Sequence, residues 1–127
     1  MQIVHHRKVG YNMTKKNFNW RISAHNLEFV EAGLKSLAVN VIYPGIIIPK
    51  EGDTITFHIS NFNKESAKFE VKRVAFYSSF VKMLKKENYL DILPDATSVA
   101  DAIRMCRHEF YGKTNYGVIV CQISVTA

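Results

Sequence analysis

Few residues of this chain are spaced for covalent chemistry; more are spaced for holding a ligand. The sequence has no Gly-rich phosphate loop, no dinucleotide fingerprint, no zinc-ligand set and no Gly-x-Ser-x-Gly elbow. His5 and His6 are adjacent, but no third ligand follows at useful spacing, so no metal site is expected. Arg104, His108 and Tyr111 stand at i, i+4 and i+7, one polar stripe of a helix that either lines a cleft or faces water. Ser78 and Ser79 open a segment of helical period, where hydroxyls and free backbone N–H groups cap the helix or receive an anion. Trp20, Tyr43, Tyr111 and Tyr116 offer flat faces on which a base can stack, worth roughly 1–3 kcal/mol per base when used. Trp20 and Tyr43 equally suit the core or rim of a barrel. Lys35 follows Gly33, a helix-ending glycine, and its ammonium has no clear structural need. Lys82, Lys85 and Lys86 read as the solvated side of a helix.

The elements that must carry these residues follow from periodicity. Phe18-Asn19-Trp20-Arg21-Ile22 alternates apolar and polar, as a first strand does. Asn26 reads as the cap of a short helix with Leu27 and Val30 on its buried face. Leu37, Val39, Val41 and Tyr43 alternate with Ala38, Asn40 and Ile42 in a second strand, which Pro44-Gly45 ends. After the turn at Glu51-Gly52-Asp53, residues 54–60 point Ile55, Phe57 and Ile59 inward and the threonines and His58 outward. Residues 61–64 form a hairpin loop. In 67–77 the phase changes: Phe69 and Val71 share one parity, Val74 and Phe76 the other. That predicts a bulge near Lys72-Arg73. A helix then runs from Ser78 or Ser79 to about Glu87, burying Phe80 and Leu84. Ser98 and Asp101 have capping-box spacing at the start of a longer helix. Its buried stripe is Val99, Ile103, Cys106 and Phe110, and Gly112 ends it. Residues 117–125 close the fold as an apolar strand. This order disfavours a doubly wound sheet and predicts an α+β fold, a small curved or barrel-like sheet with helices on one side.

The chain's 127 residues, 47% of them hydrophobic, suffice for one domain with a core that needs no staples. The apolar runs are too short for a transmembrane helix, and the N-terminus has no apolar signal-peptide core, so a cytoplasmic protein with no membrane partner is expected. Cys106 and Cys121 lie among apolar neighbours, as buried free thiols of a reducing compartment do. The net charge is +6 and the pI about 9.4, which raises the question of a nucleic-acid partner. Arg7, Lys8, Lys15, Lys16 and Arg21 fall within residues 1–21, which contain no acid. The remainder is almost neutral, so the basicity belongs chiefly to an N-terminal extension over residues 1–17.

Four stretches, in order, carry a resemblance. They are Ala32-Gly33-Leu34-Lys35-Ser36-Leu37-Ala38-Val39-Asn40-Val41, Glu51-Gly52-Asp53-Thr54-Ile55-Thr56-Phe57, the run from Val71 to Phe80, and the run from Tyr116 to Ile123. Together they resemble the ASCH domain family, which has a PUA-like β-barrel. The resemblance spans roughly residues 18–125. It implies an ASCH-like domain over 18–127, with five to six strands flanked by about three helices.

The resemblance also implies a ligand, RNA or a modified nucleoside held in a cleft between barrel and helices. A few members of the family deacetylate acetylcytidine, using a Lys after the glycine, a Thr three residues later and a downstream acid; others look like ribonucleases. Here Lys35 matches the lysine, and Ser36 takes the place of the Thr directly after it. Ala38 stands where the enzymes have Thr, Asn40 stands where Arg is frequent, and Asp95 fits the downstream acid by position. Ala38 supplies neither proton nor hydrogen bond, and loss of an essential catalytic group costs on the order of 100-fold or more. The deacetylase constellation is therefore broken. The expected function is a small RNA- or nucleotide-binding module without cofactor, with Lys35 at the cleft mouth. Ser36, Asn40, Ser78, Ser79, Tyr111 and Tyr116 complete the expected ligand-binding set. The alternative is a hydrolase of nucleosides or RNA with Lys35 and Asp95 as its catalytic pair.

Overall fold

The computed structural model describes residues 15–59, 64–110 and 115–125. Its strands are β1 (Asn17–Arg21), β2 (Leu37–Val41), β3 (Thr54–Ile59), β4 (Lys64–Tyr77) and β5 (Val118–Val125). Its helices are α1 (Ala24–Glu31), α2 (Phe80–Lys86), α3 (Tyr89–Ile92) and α4 (Val99–Glu109). The strands form one five-stranded sheet in the order β1-β3-β4-β5-β2. β1 runs parallel to β3, and every other pairing is antiparallel. The α+β class is as expected; the sheet is curled but not closed, with β1 and β2 at its edges.

Curvature comes from β4, which carries an extra residue twice. Against β5 the register slips between Val71 and Arg73, which places the bulge at Lys72, where the change of hydrophobic phase predicts it. Val74 thereby packs on the same cluster as Phe69 and Val71. Against β3 the register slips between Thr56 and His58. There the Phe57 N–H leaves the ladder and donates to Ser66 Oγ at 2.9 Å, while Ser66 Oγ donates to the Ala67 carbonyl at 2.6 Å. Two bulges in one long strand coil a sheet strongly.

Coiling gives the sheet two cores. The inner face holds Trp20, Leu27, Val30, Ala38, Ile55, Phe57, Phe69 and Val71 with Ile119, Cys121 and Ile123. The outer face, with Leu37, Val118 and Val120, is covered by Phe80, Met83 and Leu84 of α2, Ile92 of α3 and Ala102 and Cys106 of α4. β5 is buried on both faces, which is why it reads as an unbroken apolar run. The expectation of helices on one side is corrected: α1 packs its Leu27 and Val30 against the inner face, because the curled sheet leaves an end to be plugged.

Helix ends follow their local sequence, with two corrections. Ser23, not Asn26, caps α1, accepting from Asn26 N at 3.2 Å. At α4, Ser98 Oγ accepts from Asp101 N at 3.0 Å, but Asp101 reaches back to Thr97 N at 2.9 Å, so the capping box is displaced by one residue. Ser79 caps α2, accepting from Lys82 N. Asp53 explains its turn: its carboxylate accepts from Lys16 N and Lys50 N, pinning the start of β1 to the start of β3. Among the described residues the first strand begins at Asn17. His5, His6, most of the hairpin loop, Tyr111 and Gly112 lie outside the described residues.

Candidate functional site

Alternation along β1 buries Trp20 and Ile22 and turns Arg21 outward. Ser23 then starts α1, whose first turn presents His25 and Asn26 beside Arg21. On β2, Asn40 lies between Val39 and Val41 on the opposite face from them. These residues line one wall of a cleft of about 640 Å³. The facing wall is α4, with Arg104, His108 and Glu109 and the apolar Met105 and Phe110. Leu93 and Asp95, in the turn after α3, close one end. Both edge strands reach this cavity, so the sheet has curled far enough to bring its edges to one opening.

The polar groups are distributed across it. His25 Nε2 and Asp95 Oδ2 meet at 3.0 Å, joining α1 to the turn after α3. The His25 ring packs edge-on to Phe29, with centroids 4.6 Å apart. Arg104 donates to Asp101 Oδ1 at 2.5 Å, which orients its guanidinium from one side. Asn40 Oδ1 accepts from Val41 N at 2.9 Å, so its Nδ2 donors are what it offers a ligand. Arg21 has no ion-pair partner among the described residues.

Lys35 lies beneath the cleft rather than at its mouth, and this corrects the expectation. α1 ends in a Schellman motif, with Gly33 at φ 77°, Leu34 N donating to Phe29 O and Gly33 N to Val30 O. The chain then turns inward. Ser36 N donates to Asp91 O, and Ser36 O accepts from Ile123 N, so Lys35 is threaded between α3 and β5. Its relative exposure is 8%, and its ammonium donates to the carbonyl of Ile92, the last residue of α3. The lysine therefore has a structural use, as a cap for an otherwise orphaned helix carbonyl. Burial lowers its pKa to about 8 against the opposing fields of Glu109, Cys106 and Asp95.

Of the residues expected from sequence, the structure gathers Asn40, Asp95, Arg104 and His108 in the cleft, with Lys35 below them. Ser36 is half-buried and held by its backbone. Ser78, Ser79 and Tyr116 do not line the cleft, and Tyr111 lies outside the described residues. Arg21, His25 and Glu109 were not expected there. Their only sequence signal is position: a strand end, the first turn of a helix and the last residue of another. Among the described residues, no group of three His, Cys, Asp or Glu side chains is placed to hold a metal ion. Among them also, no helix is long and apolar enough to cross a membrane.

No family model matches the chain, and no curated protein does. The chain is similar to solved structures, among them the following two. The crystal structure of hypothetical protein PH0355 is 25% identical, with a TM-score of 0.73 over 85% of this chain and 97% of that one. The solution structure of protein PF0455 from Pyrococcus furiosus is 24% identical, with a TM-score of 0.64 over 85% of this chain and 96% of that one. Neither is named for an activity.

Proposed function

We propose that this chain is an ASCH-like binding module that holds a nucleotide-like ligand, free or within RNA, in the cleft between the sheet edges and α4. The observation that carries this reading is the mixed character of that cavity. About 640 Å³ is a common volume for a small-ligand site. Ile22, Leu93, Met105 and Phe110 provide apolar surface for a base or sugar, while Arg21, Arg104 and the Asn40 amide provide donors for phosphate and base edges. Two buried free thiols suit a reducing, cytoplasmic setting.

The hydrolase alternative draws on Lys35, whose lowered pKa suits a base or nucleophile, and on Asp95 near it. Two features weigh against it. The ammonium is engaged by the Ile92 carbonyl, and Ala38 points into the inner core, where it has nothing to donate. Incubation with acetylcytidine and with RNA tests this alternative; product from either, lost in Lys35→Met, would replace the binding reading.

The binding reading is tested by titrating the protein with nucleoside 5′-monophosphates and short RNA at about 50 and about 300 mM salt. Saturable binding is expected, weaker at the higher salt and weakened about tenfold by Arg21→Ala, the loss of roughly one charge-assisted hydrogen bond. No binding at either salt overturns it.

A further inference from the structure

A second groove, of about 570 Å³, runs along the outside of β1 and beneath the segment after β2. Arg21 and Asn40 line both this groove and the cleft, so the two adjoin at the gap between the sheet edges. Their chemistry differs. The cleft has Asp95 and Glu109 among its walls, whereas among the described residues no acid lines the groove, which holds the cations Lys16 and Arg21 and the amides of Asn17, Asn19 and Asn40. The one acid tied to its first residue, Asp53, is buried and occupied by two backbone N–H groups.

The groove's far rim is built and not incidental. Pro44 and Gly45 occupy the centre of a turn in which Ile46 N donates to Tyr43 O at 3.1 Å, and Gly45 has φ 86°. Proline first and a positive-φ glycine second are what a type II turn requires. The turn presents Tyr43 and Ile47 with 54% and 64% of their surfaces exposed, large apolar groups for which the described fold provides no cover. An exposed aromatic face beside cations that have no ion-pair partner among the described residues is the combination that holds single-stranded nucleic acid, by stacking and phosphate contact.

Building on the nucleotide reading of the cleft, we infer that the ligand is a single-stranded oligonucleotide that spans both cavities. One nucleotide occupies the cleft. The adjoining phosphate passes Arg21 at the junction, and the next nucleotide lies in the groove with its phosphate near Lys16 and its base on Tyr43. Arg21 thus serves both subsites, and Asn40 marks the point where the strand crosses from one to the other.

The test compares hexaribonucleotides of A, C and U with AMP, CMP and UMP, using the full chain and a Lys16→Ala/Tyr43→Ala double variant. Both positions are exposed, and circular dichroism with thermal melting confirms that the variant folds. The best hexamer should bind at least about tenfold tighter than its mononucleotide, and the double variant should lose that advantage while keeping mononucleotide affinity. A hexamer no tighter than the mononucleotide overturns the inference and leaves the cleft reading standing. So does a hexamer advantage that survives the double variant. Failure of every mononucleotide and hexamer to bind overturns both.

Discussion

The ammonium of Lys35 is held against the backbone carbonyl of Ile92, inside the fold and below the charged cleft. Burial sets its pKa at about 8, beneath the ordinary lysine value of 10.5. At pH 7 the lysine is protonated in both folded and unfolded chains, and the folded state carries the cost of a buried charge. Between about pH 8 and 10.5 the folded state releases its proton while the unfolded state keeps it, so this group makes the protein more stable as pH rises.

Comparison with Lys35→Met isolates that term. Replacement also orphans the Ile92 carbonyl, at a cost of about 1–3 kcal/mol that does not depend on pH. The stability difference between the two proteins should therefore shift by up to about 3 kcal/mol in favour of the wild type from pH 7 to pH 10.5. Urea unfolding at a series of pH values measures it. A difference that stays constant across the window would show that Lys35 is not buried with its charge.

Glu87 gives the opposite sign. It accepts from Arg73 through two bonds, at 2.7 and 3.0 Å, and from Tyr77 OH at 2.5 Å, tying the end of α2 to β4. The Arg73 bonds hold its carboxyl below the usual range against the opposing effect of burial. Its contribution is fully present above about pH 4.5 and is lost as pH falls through the lower folded value. Glu87→Gln should cost about 1–2 kcal/mol near neutral pH. That penalty should shrink below pH 4, and chemical denaturation at both values checks it.

The thiols of Cys106 and Cys121 are both buried, and burial pushes each up to about 12. At pH 8 only about one molecule in ten thousand carries a thiolate at either site. The native protein should resist iodoacetamide at that pH, and mass spectrometry should find two adducts only after unfolding. Alkylation of the native chain at the rate of free cysteine would contradict the burial of both.

What the sequence reveals and what it hides follow from the range of the interactions involved. The bulge at Lys72 is legible because a one-residue insertion shifts hydrophobic parity between Val71 and Val74. The Ser66 bulge is not, because its signature is a single hydroxyl answering Phe57 from across the hairpin. In the cleft, Arg104 and His108 are visible as one helical stripe. Arg21 and His25 become neighbours of that stripe only because the sheet curls, and no local pattern encodes that approach. Lys35 misleads for the same reason. Gly33 correctly predicts the helix end, but whether the next lysine faces water or an orphan carbonyl depends on Ile92, 57 positions away.

The Ser66 bulge offers the sharpest test of how the sheet closes around its inner core. Ser66 is buried and its hydroxyl both accepts from Phe57 N and donates to Ala67 O. Ser66→Ala keeps the backbone and the volume nearly unchanged but leaves a buried N–H without an acceptor, which costs about 1–3 kcal/mol. Ser66→Thr restores the hydroxyl and should recover most of that loss, because a β-branched residue suits a strand. The midpoint in urea should fall for the alanine variant with an unchanged slope, since neither the folded nor the unfolded chain changes its compactness. A loss in Ala that Thr does not restore would mean that the site is limited by packing volume, and that the hydroxyl is not what holds the bulge.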